Sequence, residues 1–209
     1  MSKKVSIHFL TLIVLVFAGY NSRSGTPALI NNPAVTTHPK DSIPSTWKTY
    51  TNKNLGISFQ YPGSWLQLGN ESKSVNRSGG VMSISISFMD TITQSTLFIE
   101  YHLPPYGAEL FKNSLAEFNS SRDQAGATSR KTITVAGSKA LETISTMTKD
   151  IKGNIYDPPL TIIQVVFLDK QQTGEFHLRF KTPIPNSGTE SHRLNQLLST
   201  IEFLQAERN

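Results

Sequence analysis

Beyond residue 47, apolar and polar side chains alternate with a period of two along most of the chain. That spacing puts one face of a β-strand into a core and the other toward a polar setting. Trp47 to Tyr50 give a first Trp/Tyr alternation, ended by the turn residues Asn52-Lys53-Asn54-Leu55-Gly56. Ile57, Phe59 and Tyr61 then fall on one side and Ser58 and Gln60 on the other, up to Pro62-Gly63. Trp65 is expected to open a short strand folding back antiparallel on this one. Val81 to Phe88 alternate most cleanly, with Met82, Ile84, Ile86 and Phe88 against three serines. Further strands are expected at Leu97 to Tyr101, at Lys131 to Val135 and at Ala140 to Met147, the last two joined at Ala136-Gly137. Leu160 to Leu168 is nearly continuous in apolar character and reads as a central strand. Phe176, Leu178 and Phe180 alternate with His177, Arg179 and Lys181. Asn70 to Gly80 and Lys149 to Pro159 read as loops.

Two stretches switch to the helical period. After the Pro104-Pro105 turn, Phe111, Leu115 and Phe118 recur at i, i+4 and i+7 beside Leu110, with Gly126 as a stop. Near the C-terminus Leu194, Leu197, Leu198 and Ile201 form the second stripe. Ser187 followed by Glu190 reads as a capping box ahead of it. Ile201 to Leu204 leave that helix as a last short strand. Mostly antiparallel strands with two long helices predict an α+β architecture, helices laid on an antiparallel sheet.

The first 46 residues follow neither period. Lys3 and Lys4 precede a largely apolar run from Val5 to Ala18. A basic start, an apolar stretch of roughly 7–15 residues and then small residues describe a secretory signal peptide, residues 1–18. The run is shorter than the ~20 residues that span a bilayer, so no spanning segment is expected after cleavage. Val16 and Ala18 suit the −3 and −1 positions of a cut between Ala18 and Gly19. Phe17-Ala18-Gly19-Tyr20 is lipoprotein-like, but Tyr20 stands where a lipid-bearing Cys would be, so no lipidation is expected. Residues 19–46 carry Pro27, Pro33, Pro39 and Pro44 among Ser, Thr and Asn. Such a segment has too little apolar surface to offset its ordering entropy and reads as a disordered tether. Residues 47–209 remain as one globular domain, long enough for a core of its own.

Composition narrows the chemistry. The 209-residue chain has no Cys, which excludes disulfides, thiolate metal sites and thiol nucleophiles. Net charge is +5; loss of Lys3 and Lys4 with the signal leaves 18 basic against 15 acidic residues, scattered along the chain. That mild excess gives no case for nucleic acid. There is no phosphate-cradling loop, zinc-binding His-Glu-x-x-His helix or Gly-x-Ser-x-Gly elbow, and nothing pairs a serine with a histidine. No catalytic residue and no cofactor is assigned.

The domain opens with Trp47-x-x-Tyr50 and Gly56-Ile57-Ser58-Phe59-x-Tyr61-Pro62-x-x-Trp65. This pattern resembles the start of the PsbP-like domains, including bacterial exported and lipoprotein-type relatives, whose fold is related to that of DcrB-like proteins. Val135-Ala136-Gly137-Ser138-Lys139-Ala140 resembles the hairpin after the family's first long helix. Thr200-Ile201-Glu202-Phe203 resembles its closing element. The resemblance spans most of 47–203 and implies an α/β/α sandwich around a mostly antiparallel β-sheet, with Tyr61, Pro62 and Trp65 serving packing. It implies no enzyme class, and fold does not fix function.

Two side-chain sets remain as binding candidates. Glu100 and His102 share one strand face, and His177 and Arg179 share another. If those strands are neighbours, the four would form a metal or anion site; the competing reading is four solvent-facing strand residues. Trp47, Tyr50, Phe59, Tyr61, Trp65, Phe98, Tyr101 and Tyr106 would either line a groove or form a core edge. Pro104-Pro105-Tyr106 and Tyr156-Asp157-Pro158-Pro159 offer rigid aromatic corners for protein contact. The expectation is an exported, non-enzymatic binding or assembly module of the bacterial cell envelope. It would lie in the periplasm, outside the cell or against a membrane, and engage an envelope protein partner. The alternative is a small-molecule or metal-binding envelope protein using the polar face of the sheet.

Overall fold

The computed structural model describes residues 43–120, 127–150 and 152–204. The expected signal peptide, its expected cleavage junction at Ala18–Gly19, residues 19–42 of the expected tether and Gly126 lie outside the described residues. Ile43 to Thr46 are described, and there the Trp47 amide donates to the Pro44 carbonyl at 3.0 Å, closing a turn into the first strand.

The described strands are β1 (Lys48–Asn52), β2 (Ile57–Tyr61), β3 (Trp65–Gln67), β4 (Ser72–Val75), β5 (Val81–Asp90), β6 (Thr96–His102), β7 (Ala127–Val135), β8 (Ser138–Lys149), β9 (Ile155–Leu168), β10 (Glu175–Pro183) and β11 (Glu202–Phe203). The helices are α1 (Tyr106–Asn119) and α2 (Ser187–Ser199). One sheet runs β3-β5-β6-β10-β9-β8-β7, with β4 also paired to β5; a second runs β1-β2-β11. Every pairing is antiparallel. β9 lies between β10 and β8, as its continuous apolar run predicts.

The large sheet has one apolar and one polar face. Ile84, Ile86, Phe88, Leu97, Ile99, Val165, Phe167, Phe176, Leu178 and Phe180 pack in one core with Ile57 and Phe59 of β2 and with Leu194, Leu197 and Leu198 of α2. The small sheet and α2 therefore cover this face together. α1 lies over the opposite face, where Ser114, Glu117 and Phe118 meet Leu141, Thr143, Gln164, Val166 and His177. Burying that much apolar area at about 25 cal/mol per Å² is the main favourable term in the fold.

Five expectations are corrected. Trp65 does not fold back on β2, because β1 and β11 already occupy both edges of β2. β3 crosses to the large sheet and pairs with β5, and the Trp65 ring stacks on Phe180 at 5.8 Å. The stretch from Asn70 to Gly80 contains β4, an edge strand exposed on both faces and so without a hydrophobic period. Tyr156 to Pro159 belong to β9, not to a loop. The β8–β9 register slips there, with Met147 opposite Leu160 but Lys149 opposite Ile155. The bulge absorbs Pro158 and Pro159, which have no N–H to give a ladder. Ser187 makes no cap: a 3₁₀ turn over Ile184–Asn186 leads into the helix, Asn186 is the cap residue, and no side chain caps it. Finally, α1 ends at Asn119, before Gly126; Ser120 donates its amide back to Ala116 and Glu117.

Candidate functional site

β6 and β10 are neighbours, so the four polar residues singled out in the sequence do converge. His177 lies directly opposite Glu100, and Arg179 opposite Phe98, one pleat along. Glu175, absent from the sequence-derived set, lies opposite His102. The alternation that selected His177 and Arg179 also selects Glu175, two positions earlier on the same face. Ser83 donates its hydroxyl to Glu100 Oε1 at 2.7 Å, and His102 Nε2 stands 3.7 Å from Glu100 Oε2. Gly107 at the start of α1 packs over this ladder so closely that a Cβ there would strike the backbone of Glu175, His102 and Gly174.

Burial sets the charge states beneath α1. It pushes the Glu175 carboxyl up to about 7, helped by Glu100 and opposed by a hydrogen bond from Ser114. It pushes the His177 imidazole down to about 4, with Arg179 and His102 adding repulsion and Glu100 opposing. At neutral pH His177 is therefore neutral, and Glu175 holds its proton to far higher pH than an ordinary carboxyl. Glu175 Oε2, His177 Nε2 and Arg179 Nε are buried without a protein hydrogen-bond partner. Among the described residues no group of three or more His, Cys, Asp or Glu is placed to hold a metal ion. Glu100, His102 and His177 are neighbours without forming a ligand set.

The aromatic set separates differently. Phe59 and Trp65 are buried at 1 % exposure. Tyr50, Phe59, Tyr61 and Phe88 form one ring cluster with centroids 4.9–6.3 Å apart. The first hairpin is thus a core edge. Tyr101 takes the other course: its ring stacks on Phe176 at 4.6 Å and lines a cleft of about 480 Å³ at one end of the core. Leu55, Phe176, Phe203 and Leu204 complete its apolar wall, with Lys53, Asp169 and Lys170 among its polar residues. A volume of that size takes an ordinary small-molecule ligand.

The cleft wall is held by the β9–β10 turn. Asp169 is 6 % exposed, and its carboxylate accepts from the Tyr101 hydroxyl at 2.8 Å and from the amides of Thr173 and Gly174 at 2.9 Å each. Burial, then the bond to Asp169, hold the Tyr101 phenol protonated far above its ordinary range. A Cβ at Gly174 would run into the Tyr101 ring. Tyr101 is therefore locked at both its hydroxyl and its edge. Asp169, Phe203 and Lys170 were not singled out from the sequence. The usable signal was Asp169-Lys170-Gln171-Gln172-Thr173-Gly174, an Asp poised to bond amides a few residues on.

No family model matches the sequence, and no curated protein matches it. Solved structures do match the fold. A protein of Bacteroides thetaiotaomicron VPI-5482 aligns at 14 % identity and a TM-score of 0.51, covering 78 % of this chain and 50 % of that one. This chain thus spans about half the length of that relative. Cyanobacterial PsbP (CyanoP) from Synechocystis sp. PCC 6803 aligns at 12 % identity and a TM-score of 0.49, covering 78 % and 95 %. LpqN, described as involved in cell envelope biogenesis of Mycobacterium tuberculosis, aligns at 13 % identity and 0.44, covering 71 % and 83 %. The likeness is one of fold alone.

Proposed function

We propose that this chain is an exported, non-enzymatic binding module of the bacterial cell envelope. A cleaved leader of residues 1–18 delivers it, residues 19–46 tether it, and the cleft beside Tyr101 is where it engages its ligand. The observation that carries this reading is the cleft of about 480 Å³ beside Tyr101. Much of its wall is ring surface, and Asp169, the carboxylate among its described lining residues, is bonded by Tyr101 and by the amides of Thr173 and Gly174. A cavity walled by ring surface, with its Asp169 carboxylate already bonded by Tyr101 and by backbone amides, favours binding over reaction. Export rests on the basic start and apolar run of residues 3–18. Among the described residues no helix is long and apolar enough to cross a membrane.

Two measurements test the reading. Mass spectrometry of protein expressed from the full sequence in a bacterial host should find a mature N-terminus at Gly19 outside the cytoplasm; a retained leader in the cytoplasm overturns export. A chemically diverse fragment library should contain members that raise the melting temperature and perturb the Tyr101 and Phe203 ring resonances, since anything binding only the native state stabilises it. Turnover of a generic ester, peptide or phosphate substrate by the purified protein would overturn the non-enzymatic assignment.

A second reading, a small polar ligand on the sheet face under α1, is favoured by the three unpartnered buried atoms of Glu175, His177 and Arg179. Calorimetric zinc titration of the wild type and of His102→Ala/His177→Ala separates its metal form, which predicts heat lost only in the variant.

A further inference from the structure

α1 does not seal against the sheet along its whole length. Beneath its C-terminal half lies a cavity of about 130 Å³, floored by β8, β9 and β10. The pairing register gives that floor two unlike rows. Val166 stands opposite both Leu141 and His177, and Gln164 stands opposite Thr143. From above, Phe118 adds a ring and Ser114 a hydroxyl. The wall thus has an apolar side in Leu141, Val166 and Phe118, and a polar side in Thr143, Gln164 and His177. The His177 Nε2 is buried with no protein partner, and the imidazole, neutral at ordinary pH, has one donor and one acceptor nitrogen.

A space of this size has room for about four waters. Waters serve the polar side but gain little against the apolar one, so a molecule with an apolar end of its own displaces them favourably. The wall does not select an ion. Its charged residues, Glu117 and Arg130, are opposite in sign and both already have partners. The next charges along the face, Glu100 and Arg179, also differ in sign. An ion of either charge would meet a like charge as well as an opposite one, and would still lose its water.

We propose that this cavity binds a small neutral molecule with a planar amide or urea group and a short branched apolar end. The amide lies against Gln164, Thr143 and His177, and the apolar end against Leu141, Val166 and Phe118. A ligand amide matches the Gln164 carboxamide donor for acceptor and acceptor for donor. The inference deepens the second reading above and rests on it. α1, with Gly107 as its one buried residue, is the element that parts from the sheet to admit the ligand.

The test uses the full chain and three probes of about six heavy atoms each: isobutyramide, its charged counterpart isobutyrate, and glycerol, which is polar throughout. Binding is read from the His177 and Phe118 ring resonances and the Gln164 side-chain amide. The expected result is saturable millimolar binding of isobutyramide that moves all three, with the other two probes weaker by about tenfold. Gln164→Leu should weaken isobutyramide by a similar factor; a matching melting temperature checks that the variant folds, and the probe comparison on the wild type stands without it. Equal affinity for isobutyrate overturns the neutral assignment, and equal affinity for glycerol overturns the apolar end. In either case the sheet face under α1 stands as a binding surface. If library fragments move the His177 ring while isobutyramide does not, the ligand class is wrong and the second reading survives. If nothing moves it, the cavity holds water alone and both fall.

Discussion

Glu175 and His177, two residues apart on β10, carry opposite pH dependences under one helix. The unfolded Glu175 carboxyl releases its proton near 4.5, the folded one near 7. Its contribution to stability is full below 4.5 and is lost as pH rises through 7. The unfolded His177 imidazole charges near 6.5, the folded one only near 4. Its contribution is full above 6.5 and is lost as pH falls through 4. Each effect amounts to about 3 kcal/mol, and between pH 4.5 and 6.5 they oppose. The contributions of these two residues should therefore nearly cancel there. Glu175→Gln should expose the histidine's slope, gaining about 3 kcal/mol between pH 4 and 6.5. Urea melts of wild type and variant at four pH values check this, and parallel profiles of the two contradict the assignment. At the cleft, Tyr101→Phe removes the hydroxyl that donates to Asp169 and should cost about 1 kcal/mol in the same melts.

The two helices are held to the sheet with different strength. α2 buries Leu194, Leu197 and Leu198 at 1 % exposure or less. Its Arg193 also bridges Glu190 at 2.7 Å and Asp90 on β5 at 3.2 Å, both carboxylates being almost fully buried. α1 has Gly107 as its one buried residue among those described, and presents Phe111, Leu115 and Phe118 half-buried to a polar sheet face. Leu194→Ala should destabilise by about 2–5 kcal/mol, whereas Leu110→Ala, at 37 % exposure, should cost under about 1 kcal/mol. Arg193→Met should cost about 3–5 kcal/mol, because it leaves two buried carboxylates facing each other. Native-state hydrogen exchange should find α1 amides opening at lower free energy than those of α2. Equal protection of the two helices would show that α1 is anchored by more than these contacts.

Across the whole molecule, a single apolar core joins the large sheet, the small sheet and α2, and Trp65 sits within it against Phe180. Trp65→Ala should remove about 3–5 kcal/mol and lower the melting temperature of the whole domain in one cooperative step. A loss confined to β3, seen as local exchange without a shift in melting temperature, would contradict that unity. The cleft lies at the end of this core and borrows a wall from each sheet, Leu55 and Phe203 from one side and Tyr101 and Phe176 from the other.

The period-two pattern in the sequence determined which residues of β2, β5, β9 and β10 face inward, because side-chain alternation is a local property of an extended backbone. It equally determined the shared face of Glu100 and His102, while the helical period determined the apolar stripe of α2. Whether that pair would meet His177 depended on β6 lying beside β10, a contact between residues more than seventy positions apart, which only folding decides. The same holds for the choice of β5 as partner for Trp65's strand, once both edges of β2 were taken. Glu190 was legible as a helix-start acid, but not as the buried partner of Arg193 and neighbour of Asp90. The cleft was least legible of all, since its residues come from five separate segments, and concavity is a property of packed elements that no single segment encodes.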